Sequence, residues 1–177
     1  MKIRAIKTRV FKEGEDLLAF IAAQCPKFSD GDILVVTSKI VALSEGRTAP
    51  VADKEKAIKR ESQLAIKTPL VWLTIKDHMV MSSAGIDESN SDGKLILLPK
   101  DSFAQASRIR RHFMKEHSLK RFGVILTDSR ILPLRAGVTG VALSYAGFAG
   151  IKKYQGRKDI FGRKLKMSQV DVADSLA

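Results

Sequence analysis

Residues 123–137 read GVILTDSRILPLRAG. Val124-Ile125-Leu126 is a short apolar run that reads as a buried strand. It stops at Thr127-Asp128-Ser129 and is followed by two arginines, a proline and a glycine. An acid and two hydroxyls at the end of a buried strand have two explanations. They cap a helix or make a turn. Alternatively, they present hard oxygen ligands to a metal ion, with the arginines beyond them holding a phosphorylated substrate.

Working outward, the chain alternates strand and helix signals. Residues 1–10 alternate charged and apolar side chains and predict an edge strand. Glu13-Gly14-Glu15-Asp16 precedes an amphipathic helix carrying Leu17, Leu18, Phe20 and Ile21, with acid at its positive end and Pro26 beyond it. Ile33 to Val36 is a buried strand. Residues 53–67 read as a charged helix with Ala57, Ile58, Ala65 and Ile66 as its apolar members. Val71 to Ile75 and His78 to Met81 predict a hairpin, and Lys94 to Leu98 a further strand. Asp101 or Ser102 caps a helix running to about His117, with Ala106, Ile109, Phe113 and Met114 inward. Phe122 to Leu126, Val138 to Ala146 and the alternating residues 165–170 complete a mixed α/β domain of about seven strands and three or four helices.

Composition narrows the partners. The 177 residues are 45% hydrophobic, enough for one domain with a core. Lysine and arginine number 31 against 19 acids, a net charge of +12 and a pI near 10.0. That excess points to an anionic partner. The single cysteine, Cys25, excludes an internal disulfide framework and suits a reducing, cytoplasmic setting. No run approaches the ~20 apolar residues of a membrane span. His78, His112 and His117 show no metal-site spacing, and no Ser/His/Asp or Cys/His arrangement stands out.

Four polar stretches are candidates for chemistry. Thr37-Ser38-Lys39 follows the Ile33–Val36 strand, and its hydroxyls and amine suit phosphate oxygens, although the glycine-rich run of a P-loop is missing. A strand running into a helix explains the same residues. Ser82 to Asn90, SSAGIDESN, is rich in turn formers; its functional reading is an Asp87 metal ligand and an Asn90 amide for a nucleotide. Asp87 with Asp128 supplies two carboxylates for Mg²⁺ or Mn²⁺, and the Ser129 hydroxyl completes the set. Magnesium often takes only one or two carboxylates plus phosphates and water. Arg130 and Arg135 are the fork-shaped partners for a carboxylate or phosphate. Lys152 to Lys166 is basic around the single acid Asp159, with Tyr154 and Phe161 interleaved, and reads as a ring-and-phosphate loop, a nucleic-acid loop or a solvated one.

In order along the chain, KEGEDLLAFI, DGDILVVTSKIVALSEGR, SSAGIDESN, LLPKDSFAQASRIR, GVILTDSRILPLRAG and YQGRKDIFGRKL resemble one family, the coenzyme F420-0:L-glutamate ligases, over nearly the whole chain. The resemblance implies that glutamate is joined to a substrate carboxylate using GTP (or ATP) and divalent metal, by way of an acyl phosphate. It implies a mixed α/β fold whose two subunits intertwine as a homodimer. Matched by motif, Asp87, Asp128 and Ser129 fall on metal positions, and Ser38, Lys39 and Asn90 on nucleotide positions. Thr8, Arg9, Val10 and Phe11 match a segment lying against the nucleotide. Asp128 and Arg135 are the expected catalytic pair. The expected partners are a nucleoside triphosphate, L-glutamate and an anionic cofactor substrate; neither membrane nor nucleic acid is expected.

Three departures stand against the family pattern. Leu43 occupies the place of a nucleotide-contacting lysine. Where the pattern reads TDTFGRPWR, this chain has Thr127-Asp128-Ser129-Arg130-Ile131-Leu132-Pro133-Leu134-Arg135, keeping the acid, a hydroxyl, the proline and the last arginine. The pattern also continues past VADSLA, so a single domain lacking the usual C-terminal part is expected. A folate-type acceptor, or nucleotide binding without ligation, are the alternatives to F420-0 glutamylation.

Overall fold

In the computed structural model, residues 2–132 and 134–177 are described; Pro133 of the arginine-bearing stretch lies outside them. The architecture is mixed α/β, as the sequence predicts. The central sheet is three-stranded: β1 (Ile33–Thr37) lies parallel to β7 (Gly123–Ile131), which pairs antiparallel with β8 (Val138–Ala146). Helices α1 (Leu17–Gln24), α2 (Ser38–Ser44) and α4 (Ser102–Glu116) contribute to the main core. Leu17, Phe20, Val41, Ile109 and Phe113 from these helices join Val36, Phe122, Val124 and Leu126 there. Caps fix the helix starts. The Asp16 carboxylate accepts from the Leu18 and Ala19 N–H groups, and Asp101 accepts from Ala104.

Smaller sheets frame this centre. β2 (Thr48–Pro50) pairs with β6 (Lys94–Ile96), and α3 (Lys54–Glu61) follows β2 after a short turn. β3 (Leu64–Lys67), β4 (Trp72–Lys76) and β5 (Met79–Ser82) form an antiparallel meander. β9 (Ile151–Lys153) pairs with β10 (Gln169–Asp171).

Four expectations are corrected. Residues 2–10 form no strand: Ile3 and Val10 are exposed, and the segment is anchored by Phe11, whose ring meets Phe20 edge-on at 4.9 Å. The 53–67 helix ends at Glu61. Ser62 is extended, and Leu64 to Lys67 enter the β4 ladder; two adjacent apolar residues, Ala65 and Ile66, fit either period, and the neighbouring strand settles which wins. His78 is not in a strand. With Asp77 it forms the hairpin turn, both at positive φ (50° and 63°) as a two-residue β-turn of this hand requires. The late strand is confined to Gln169–Asp171, while Gly156 and Leu165 pair within an excursion between β9 and β10.

The opening stretch also differs. Its strand does not stop at Leu126 but continues to Ile131, because β8 carries the ladder past the point where β1 ends. An irregularity between Leu126 and Thr127 marks the changeover.

Candidate active site

The parallel register of β1 with β7 ends at Thr37↔Thr127. The next residues on the two strands, Ser38 and Asp128, are therefore neighbours. Ser38 is buried, and its Oγ lies 3.5 Å from Asp128 Oδ1, the outer limit of a hydrogen bond. Thr37-Ser38-Lys39 is thus both a strand-to-helix junction and the floor of a polar site. The carboxyl ends of parallel strands are where α/β sheets commonly open to ligands.

Asp87 arrives from a different direction. Ser83, Ala84 and Gly85 all have positive φ (48°, 55° and 70°), turning the chain sharply out of β5. Thr74 holds that turn, accepting from the Ala84 N–H at 2.8 Å and donating to the Met81 carbonyl at 2.7 Å. Asp87 then exchanges both backbone hydrogen bonds with Ile96 of β6, at 3.0 and 2.8 Å. The sequence alone shows a run of turn formers; the pairing with β6 is what aims the carboxylate.

Lys39 links the two halves. Its Nζ is 2.6 Å from Asp87 Oδ2 and donates to Ser89 Oγ at 2.9 Å. The Ser89 N–H donates to Asp87 Oδ1 at 2.6 Å. Burial works against the Asp87 charge, but the Lys39 and Ser89 hydrogen bonds outweigh it and hold the carboxyl below its usual range. At Asp128 burial wins. It pushes the carboxyl up against the opposing Arg130 guanidinium and Ser129 N–H, and the nearby Asp87 charge adds to the rise.

Arg130, not Arg135, is the arginine beside Asp128. Along β7 successive side chains alternate between faces, so Asp128 and Arg130 share one and the exposed Ser129 side chain takes the other. Arg130 Nε is 3.6 Å from Asp128 Oδ2. Arg135 lies exposed in the connection between β7 and β8, its N–H donating to the Leu132 carbonyl at 3.3 Å. Of the expected ligands, Asp128 meets Ser38 and Asp87 meets Lys39, neighbouring residues of one junction. The Ser129 side chain is exposed on the other face of β7, and Arg135 is not brought to Asp87 or Asp128 by any contact among the described residues.

A groove of about 310 Å³ adjoins Lys39. Thr8, Arg9, Val10 and Phe11 line it together with Thr37, Lys39, Ile40, Leu43, Asn90 and Ile96. The segment expected to lie against a nucleotide is thus on the same groove as Lys39 and Asn90. Leu43, standing at the lysine position of the family pattern, gives that groove an apolar wall. Arg9 is held to Glu15 by two hydrogen bonds of 2.9 and 2.6 Å. None of Lys152 to Lys166 lines the groove; Lys152 and Arg157 instead sit over the Tyr154 ring at 5.2 and 5.1 Å.

The donor set suits a hard divalent cation. Asp87 and Asp128 are carboxylates from separate segments, and the Asp87 charge adds to the rise that burial causes at Asp128; such hard oxygen donors are the type a divalent cation takes. Among the described residues no group of three or more His, Cys, Asp or Glu side chains is placed to hold a metal ion.

The family profile described as F420-0:Gamma-glutamyl ligase matches residues 5–77 and 54–177. The chain belongs to this family. It is 32% identical to a coenzyme F420:L-glutamate ligase of Archaeoglobus fulgidus, over 95% of this chain and 75% of that protein. It is 33% identical to one from Methanocaldococcus jannaschii, over 100% of this chain and 79% of that protein. These relatives are named as ligases of L-glutamate, enzymes that form an amide bond. Among the described residues no helix is long and apolar enough to cross a membrane.

Proposed function

We propose that this protein is a γ-glutamyl ligase that joins L-glutamate to a carboxylate of an F420-0-type anionic cofactor, at the expense of GTP or ATP. Family membership supports glutamate ligation, and one structural observation carries the finer reading. Asp87 pairs with Lys39 and Asp128 lies against Ser38, adjacent residues of one strand-to-helix junction, and Lys39 lines the same groove as Thr8 to Phe11 and Asn90.

In this reading the acceptor carboxylate oxygen attacks the γ-phosphorus and the nucleoside diphosphate leaves. The glutamate amine then attacks the acyl carbon of the resulting acyl phosphate, inorganic phosphate departs, and the amine gives up a proton. Mg²⁺ or Mn²⁺ would be held by Asp87 and Asp128; when bound it supplies neutralisation of phosphate charge. The chain's own contribution is positioning and electrostatics. Lys39 offers a positive charge to phosphate oxygens at the mouth of the groove, Ser38 fixes Asp128, and the Asn90 amide can both donate to and accept from a nucleotide. The acting unit is a homodimer.

The test is release of phosphate in step with a glutamylated product, dependent on metal, nucleotide, acceptor and L-glutamate together. Asp128→Asn should lower kcat on the order of a hundredfold or more while the fold, read by circular dichroism, is kept. An Asp128→Asn enzyme with unchanged kcat would remove the site from the reaction. Running F420-0 and a folate acceptor side by side identifies the acceptor. A second reading, nucleotide binding without ligation, has Leu43 in its favour, since an apolar wall replaces a cation in the groove. It predicts thermal stabilisation by nucleotide with no product from any acceptor.

A further inference from the structure

Arg130 lies on β7 two residues from Asp128 and is only 8% exposed. Its Nε stands 3.6 Å from Asp128 Oδ2, within ion-pair range but too far for a hydrogen bond. Neither Nε nor Nη2 has a hydrogen-bond partner among the described residues. A guanidinium cannot shed its proton to escape burial. Buried donors without acceptors are costly and rare, and such a group in a polar site points to an acceptor supplied from outside the fold.

The arrangement around the two acids is paired. Lys39 faces Asp87 and Arg130 faces Asp128, so each carboxylate already has a resident cation. A divalent cation binding alone would have to compete with both. An oxyanion binding alone would find each basic group beside a carboxylate that repels it. Together they satisfy every charge: the divalent cation takes the carboxylates, and the released basic groups take the oxyanion.

We propose that Arg130 is an oxyanion-binding residue kept in reserve by Asp128, and that it turns its unmet N–H groups to a phosphoryl or carboxylate group of the substrate when a divalent cation occupies Asp128. The inference rests on the metal reading of Asp87 and Asp128. Its consequence is reciprocal: oxyanion and divalent cation each tighten the other's binding by the same factor.

Titration calorimetry on the full chain tests this without turnover. Mn²⁺ is titrated alone, with inorganic phosphate, and with L-glutamate, so that the last two arms separate a phosphoryl from a carboxylate partner. Wild type should bind Mn²⁺ on the order of tenfold more tightly when the matching anion is present. Arg130→Met should bind Mn²⁺ more tightly than wild type in the absence of anion, and should lose the coupling. Arg130→Lys keeps the charge without the fork and should retain part of it. Coupling in Arg130→Met equal to wild type, or Mn²⁺ binding there no tighter, would overturn the proposal. If Arg130→Met fails to fold, full wild-type coupling in Arg130→Lys does the same. Absence of Mn²⁺ binding to wild type removes the metal reading and this inference with it. Coupling without glutamyl transfer by wild type would sink only the ligase reading.

Discussion

Glu61 shows how a single side chain supports the site from outside it. Its carboxylate is partly buried and meets Arg47 at 2.5 Å and Lys76 at 3.0 Å, while Arg47 also donates to the Leu98 carbonyl at 3.1 Å. The end of α3 is thereby tied to β4 and to the chain leaving β6, the strand that aims Asp87. Burial raises the Glu61 pKa, but the two cations more than offset it, leaving the folded value below the unfolded one. A depressed carboxylate stabilises the fold at neutral pH, and that contribution is lost as pH falls from the unfolded value, about 4.3, through the folded one. Glu61→Ala leaves two largely buried cations without their partner and should cost about 2–3 kcal/mol, somewhat under the usual range because Arg47 is partly exposed. Urea denaturation at pH 7 measures that loss, and the gap between wild type and Glu61→Gln should close below about pH 4. A gap that stays constant through the acid range would show that the network carries no net charge stabilisation. None of this was legible beforehand: Glu61 and Lys76 sat in ordinary charged runs, and only the docking of α3 against β4 makes them partners.

At the scale of elements, the loop from β5 to Asp87 depends on Gly85. Its φ of +70° disfavours any side chain, and an added Cβ would fall 2.7 Å from Leu98 Cδ1. Gly85→Ala should destabilise the protein by about 1–3 kcal/mol and displace Asp87. Thr74→Val removes the hydroxyl serving Ala84 and Met81 and should cost a similar amount, about 1–3 kcal/mol, through the buried groups it strands. Thermal melts of both variants, read with Mn²⁺ affinity, check this; wild-type melting in Gly85→Ala would mean that the turn relaxes freely. Elements with a strong local signal could be read from sequence: capped helices such as α1 and α4, the apolar strands β1 and β8, and the β4–β5 hairpin. Those decided by a partner strand could not. β7 runs past its apolar stretch because β8 holds it, β3 replaces the end of a helix because β4 lies alongside, and residues 2–10 find no ladder. The site divides in the same way. Asp87, Asp128, Ser38 and Lys39 stood out as polar residues after apolar runs, and Arg130 and Arg135 beyond them; that Arg130 is the one beside Asp128 follows from strand length, which the polar end of the stretch concealed.

At the scale of the whole molecule, one sheet face has no covering layer among the described residues. Strand alternation turns Thr74 and Met81 inward and sends Leu64, Ile66, Leu73, Ile75 and Val80 to the other side of the β3–β4–β5 meander. Register aligns Leu64, Ile75 and Val80 in one row and Ile66 with Leu73 in the next. Val80 remains 66% exposed and Leu73 45%. A net charge of +12 opposes indiscriminate clumping of such a face, so its burial calls for a specific partner. A second copy of the chain is the occupant that the family resemblance implies. Five aliphatic side chains fall short of the ~800 Å² per partner of a stable interface, so a further surface must join them. Ile160 and Phe161, 91% and 81% exposed in the excursion between β9 and β10, are among the exposed apolar residues that could supply it. Sedimentation velocity should find wild type as a dimer, with Leu73→Lys/Val80→Lys and, separately, Phe161→Lys shifted to monomer while the far-ultraviolet spectrum is kept. If ligation requires the intertwined pair, kcat should fall in parallel with the dimer fraction. A wild-type chain that sediments as a monomer at every concentration examined would leave the sheet face without a self-partner.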